Sequence, residues 1–110
     1  MKITAKIIGI RKYEFPDSND KTKTLCGQNV FVSYTYDHVI GQQVDTFKNF
    51  ESKTKVRIPD LEIGKEYKFI LSTDKNNAKS IEMIYDTKGN EIPMIEVSNH
   101  HADYDELPFD

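Results

Sequence analysis

Short runs in which apolar side chains recur at every second position set the strongest limit on what this chain can become. Across residues 28–36, Val30, Val32, Tyr34 and Tyr36 share one phase, and Phe31, Ser33 and Thr35 take the other. In a strand successive side chains point to opposite faces, so this pattern predicts a strand with one face buried. Residues 2–13 repeat the pattern, with Ile3, Ala5 and Ile7 alternating against Lys2, Thr4 and Lys6. Ile8 and Ile10 interrupt that phase around Gly9, which predicts a bend or bulge partway along the strand. Residues 15–27 (FPDSNDKTKTLCG) are rich in residues that disfavour regular structure and are expected to form a long mobile loop.

The same reading places a third strand at residues 43–50 and a loop or single helical turn at 51–55. A short extended piece follows at 55–58, stopped by Pro59. A turn at Gly64 leads into a strand with Tyr67, Phe69 and Leu71 on one face. The Asp-Lys-Asn-Asn run at 74–77 is expected to turn the chain, because Asn tolerates positive φ. Residues 78–85 then return with Ile81, Met83 and Tyr85 inward, and Lys88-Gly89-Asn90 turns into a last piece at 92–97. No stretch sustains a helical period and no internal repeat is visible. Five or six short strands at this spacing predict an all-β fold, a small five-stranded barrel of the oligonucleotide-binding (OB) type.

At 110 residues the chain is the size of one domain. Its 37% hydrophobic and 30% charged content suits a thin core under a solvated surface. Cys26 is the one cysteine, so no internal disulfide can form and a cytoplasmic setting is expected. No apolar run approaches the ~20 residues of a membrane span, so no membrane association is expected.

Charge is unevenly spread. Residues 1–98 hold all 15 basic and 14 of the 18 acidic residues, a net of +1, whereas Asp103, Asp105, Glu106 and Asp110 give the last twelve residues −4. The expected organisation is therefore a binding domain at 1–97 and a flexible acidic tail at 98–110. That tail ends Asp103-Tyr104-Asp105-Glu106-Leu107-Pro108-Phe109-Asp110. These eight residues resemble the C-terminal tip of bacterial single-stranded DNA-binding proteins, in which acidic residues precede a terminal Pro-Phe. This chain departs from that pattern in carrying Asp110 after Phe109 and in lacking a long linker. The resemblance implies that Asp103, Asp105, Glu106, Leu107, Pro108 and Phe109 recruit replication or recombination enzymes, the ring filling an apolar pocket. The order strand, long loop, strand also resembles the small helix-destabilising proteins of phages and mobile elements.

Binding a single strand without sequence preference requires cations along the backbone and aromatic faces for the bases. The sequence interleaves them: Arg11, Lys12 and Tyr13; Phe31 and Tyr34; Phe47, Lys48 and Phe50; then Lys53, Lys55 and Arg57. Tyr34 and Tyr67 share the phase of core residues, whereas Phe31 stands among Ser33 and Thr35, and Phe47 among Asp45 and Asn49. Phe31 and Phe47 are therefore the expected exposed stacking rings. A single small barrel offers few such rings, so a homo-oligomer, dimer or tetramer, is expected. Without strand bound, the tail is expected to compete for the basic face.

No phosphate loop, zinc-type spacing or nucleophile elbow is present, and no cofactor, metal or enzymatic activity is expected. His100 and His101 beside Asp103 and Asp105 make a poor metal set, since adjacent histidines do not share a face. The competing class is a β-barrel protein-interaction module, an adaptor or inhibitor of phage or plasmid origin, meeting its partner through Phe31 and Phe47. An RNA-binding barrel is a third possibility, because 2′-OH contacts leave no mark in sequence.

Overall fold

The computed structural model describes residues 1–35 and 40–97, so Tyr36 and every residue of the acidic tail lie outside the described residues. Among the described residues seven strands and one helical turn follow in order: β1 (Lys2–Pro16), β2 (Thr24–Tyr34), β3 (Gln43–Asn49), α1 (Glu51–Thr54), β4 (Val56–Arg57), β5 (Glu66–Thr73), β6 (Lys79–Tyr85) and β7 (Ile95–Glu96). Five of them close a barrel in the order β1-β2-β3-β6-β5, while β4 and β7 form a separate two-stranded ribbon. The chain is thus the small all-β barrel expected from its alternation, in an arrangement consistent with the OB type. Among the described residues no helix is long and apolar enough to cross a membrane.

β1 serves two neighbours. Its first half pairs with β5, from Lys2↔Ile70 to Lys6↔Glu66, and its second half pairs with β2 out to Pro16↔Thr24. The register shifts between Ile7 and Gly9, so the expected bulge is present and lets one strand turn from one partner to the next. β3 pairs with β2 only as far as Gln28↔Asn49, so residues 13–16 and 24–27 project beyond β3 as a two-stranded arm. Here the expectation of a loop over residues 15–27 is corrected, because strand pairing continues to Pro16 and resumes at Thr24. Only residues 17–23 turn the chain. There Asp17 and Asp20 accept bonds from backbone N–H groups two residues on, and satisfy the turn locally.

Inward positions on every barrel strand meet in one core: Ala5 and Ile7, Val30 and Val32, Phe47, Tyr67, Phe69 and Leu71, Ile81 and Ile84. Phe47 packs edge-on against Phe69 with ring centroids 5.1 Å apart. Ile81 is buried as expected, but Ile84 rather than Met83 or Tyr85 completes the inner face of β6. Pairing explains the correction: Ile70 faces Met83 while its successor Leu71 faces Ile81, so Glu82 is an extra residue and the alternation changes phase across it. The expected turns at Gly64, 74–77 and 88–90 are all formed, with Gly64, Asn77 and Gly89 at positive φ.

The barrel closes where β3 and β6 run parallel over only Phe47↔Lys79 and Lys48↔Ser80. An ion pair reinforces this short seam, with Lys79 Nζ 2.8 Å from Asp45. Burial opposes ionisation of Asp45, yet hydrogen bonds from Lys79, the Thr46 N–H and the Tyr34 hydroxyl outweigh it and hold the carboxyl below its ordinary value.

Phe47→Ala should destabilise the barrel by about 3–5 kcal/mol in denaturant unfolding, the usual cost of deleting a large buried ring. Because the Asp45 pKa is lower folded than unfolded, its contribution is complete above the unfolded value of about 4 and is lost as pH falls through the folded one. Unfolding free energy measured across the acid range should therefore decline more shallowly for Asp45→Asn than for the parent.

A candidate nucleic-acid interface

Because the arm and the barrel share β1 and β2, these strands and β3 present one continuous outer sheet face. Strand register arranges its side chains in rows. Arg11, Asn29 and Lys48 stand side by side in the central row. One step toward the bulge, Phe31 stands beside Thr46; one step toward the arm, Tyr13 lies beside Gly27, and beyond it Phe15 beside Leu25. Rows on one face are two residues apart, about 6.8 Å, so the span from Phe31 to Phe15 is about 20 Å.

Arg11, Tyr13, Glu14, Phe15, Asn29 and Lys48 line a shallow groove of about 420 Å³ along this face. The rings of Tyr13 and Phe15 lie nearly parallel, 16° apart in plane with centroids 6.0 Å apart. Gly27 makes that placement possible: a Cβ there would stand 2.6 Å from Tyr13 Cζ, closer still to its hydroxyl, and 2.7 Å from the Asn49 carbonyl oxygen. Burial and the nearby Cys26 raise the Tyr13 pKa, so the phenol stays neutral and does not repel an anion. At the other end Phe31 borders an apolar hollow with Ile8 and Val44, both well exposed. Glu14 is the one carboxylate in the groove's lining, and Arg11 and Lys48 make no ion pair among the described residues.

Of the residues singled out in the sequence, Arg11, Tyr13, Phe31 and Lys48 are brought together on this face. Phe50, exposed, continues the outward phase of Lys48 at the end of β3. Two expectations are corrected. Phe47 has no solvent exposure, and Tyr34 is 7% exposed, so neither ring has a face to offer a base. Asp45 and Asn49 made the inner face of β3 look like an outer one, but both are paired polar groups. The Tyr34 hydroxyl donates to Asp45, and Asn49 donates to Gln28 and the Val56 carbonyl.

Lys12 and Arg57 are not in the outer-face groove but in a cleft on the other side of Tyr13, which they line together with Tyr13, Glu14, Cys26, Gln28 and Glu51. Lys53 belongs to α1, and Lys55, in the left-handed conformation, ends it. Under α1 a buried network joins four elements. Gln28 donates to Glu51 (2.6 Å) and accepts from Asn49 (2.9 Å) and from the Ile58 N–H (3.2 Å). The Cys26 thiol donates to Glu51, and burial together with that carboxylate raises its pKa, the opposite of what a nucleophile needs. The partner-recruiting residues Asp103 to Phe109, and the His100-His101 pair, lie outside the described residues.

Phe15, Asn29, Ile8 and Val44 are on the face and were not singled out. A usable signal existed for Phe15, since Arg11, Tyr13 and Phe15 keep one phase through the start of the supposed loop. Comparison with family profiles, with curated proteins and with solved structures finds no match to this chain. Geometry and chemistry therefore carry the functional argument.

Gly27→Ala should push the Tyr13 ring off its seat and cost about 1–3 kcal/mol of stability by overpacking. Thermal unfolding, with the near-ultraviolet tyrosine signal followed in parallel, would register both effects.

Proposed function

We propose that this chain is a non-sequence-specific single-stranded DNA-binding protein that lays the strand across the outer face of β1, β2 and β3. One observation carries the reading: on that face the rings of Phe31, Tyr13 and Phe15 flank a row holding Arg11 and Lys48. Cations meet the phosphates and rings meet the bases, each stacked base adding about 1–3 kcal/mol whatever its identity. A face about 20 Å long suits a few nucleotides, so a dimer or tetramer would lengthen the path. The acidic segment with Leu107, Pro108 and Phe109 then serves to recruit a replication or recombination enzyme, a role supported by its resemblance to the tip described above.

A second reading has its own support. Ile8 and Val44 are 47% and 68% exposed around Phe31, and such an apolar patch also suits a protein partner. The two differ in electrostatics, because binding to a strand releases counterions and a mainly apolar contact does not.

In fluorescence anisotropy with an oligo-dT strand, affinity should fall steeply between low and moderate salt, and duplex DNA of equal length should bind more weakly. Phe31→Ala should weaken strand binding by about 1–3 kcal/mol without unfolding the barrel. Arg11→Ala and Lys48→Ala should each lower the salt slope by about 0.7, the single-strand value per phosphate. Lys2→Ala, about 30 Å along β1 from Arg11, should leave the slope unchanged. Binding that ignores salt and all of these substitutions would favour the protein-interaction reading.

A further inference from the structure

Between the two cations of the central row sits one polar side chain with a different capacity. Asn29 is half-buried in β2, paired across the sheet with Arg11 on one side and Lys48 on the other. Asn29 lines the groove, and its carboxamide makes no hydrogen bond among the described residues. By contrast, the amides of Gln28 and Asn49, on the inner face of these strands, are both engaged. Asn29 thus stands free one row from Phe31 and one row from Tyr13, level with where a base between those two rings would present its edge.

We propose that Asn29 hydrogen-bonds the exposed edge of that base and does so equally for all four bases; this rests on the strand path given above. A carboxamide offers one acceptor and one donor side by side, and rotation about χ2 exchanges them. Unpaired bases expose their Watson–Crick edges. Adenine and cytosine each show an amino donor next to a ring-nitrogen acceptor there, while guanine and thymine show a carbonyl acceptor next to a ring N–H donor. One orientation of the amide fits the first pair and the flipped orientation fits the second. The residue therefore holds a base in register without reading it, which rings and phosphate contacts alone do not do.

Aspartate at this position removes the donor and the symmetry. A carboxylate only accepts, and guanine alone among the bases shows two adjacent donors, N1–H and the N2 amino group, on that edge. Asn29→Asp should thus turn a neutral contact into a guanine-preferring one, over a uniform loss from added negative charge.

The experiment measures anisotropy of the full chain on 12-mers of dT and of dT alternating with dG, dA or dC, with each affinity expressed relative to dT. For Asn29→Asp the dG-containing strand should gain about tenfold relative to the parent's own ratio, while the dA and dC ratios stay put. Asn29→Gln, which keeps the amide, should retain the parent's profile, and Asn29→Ala should weaken all four strands by a similar factor. Circular dichroism of each variant checks the fold. Unchanged ratios in Asn29→Asp, or undiminished binding in Asn29→Ala, would overturn the assignment while leaving the strand path intact. A parent chain that fails to bind dT, or whose binding ignores Phe31→Ala, Arg11→Ala and Lys48→Ala, would remove the strand path and this assignment with it.

Discussion

The inward turn of Phe47 is the constraint from which the rest of this molecule follows. A strand has only two faces, so placing that ring against Phe69 inside the barrel commits Asp45 and Asn49 to the inside and Val44, Thr46 and Lys48 to the outside. Its partner strand obeys the same rule through Val30↔Phe47, which sends Asn29 and Phe31 outward. A slip of one residue would bury Lys48 and expose a phenylalanine. The outer face is thus a by-product of core packing, and its chemistry is whatever the opposite phase happens to carry.

Committing polar groups to the inside has a cost that the structure offsets at each end of β3. At one end Asp45 takes the ammonium of Lys79 and the hydroxyl of Tyr34, and so ties the short parallel seam that closes the barrel. At the other end Asn49 joins Gln28, Glu51 and the backbone of β4 in a network that seats α1 over the barrel mouth. Buried polar groups are tolerable only when satisfied, and satisfied networks specify one arrangement over its competitors. Both devices fix β3 relative to its neighbours, and β3 supplies Lys48 to the outer face.

The arm of β1 and β2 extends that face past the barrel. Two-stranded ribbons are marginal alone. This one is held by α1, where the Ser52 hydroxyl accepts from the Cys26 N–H, and by the Tyr13 ring, which lies over Gly27 and nearly parallel to that of Phe15. The same ring pair that steadies the arm is then its most accessible aromatic surface. Structure and the proposed binding role therefore draw on the same side chains, which is why Gly27, with no side chain of its own, matters to both.

By itself the sequence determined the all-β class, the inner faces of β1, β2 and β5, the bulge at Gly9 and the turns at Gly64, 74–77 and 88–90. Each rests on local chemistry: period two, glycine or asparagine at positive φ, and little competing helical pattern. It also marked Arg11, Tyr13, Phe31 and Lys48, because an out-of-phase ring or a charge beside one is visible locally. Only the tertiary structure decided that Phe47 is core, since the paired polar residues Asp45 and Asn49 hide a buried face. It alone decided that strand pairing reaches Pro16 and resumes at Thr24, because cross-strand hydrogen bonds leave no mark in the local sequence. It alone brought Asn29 between two cations and beside Phe15's arm, for rows across a sheet join residues that are distant in sequence and carry no mark of one another.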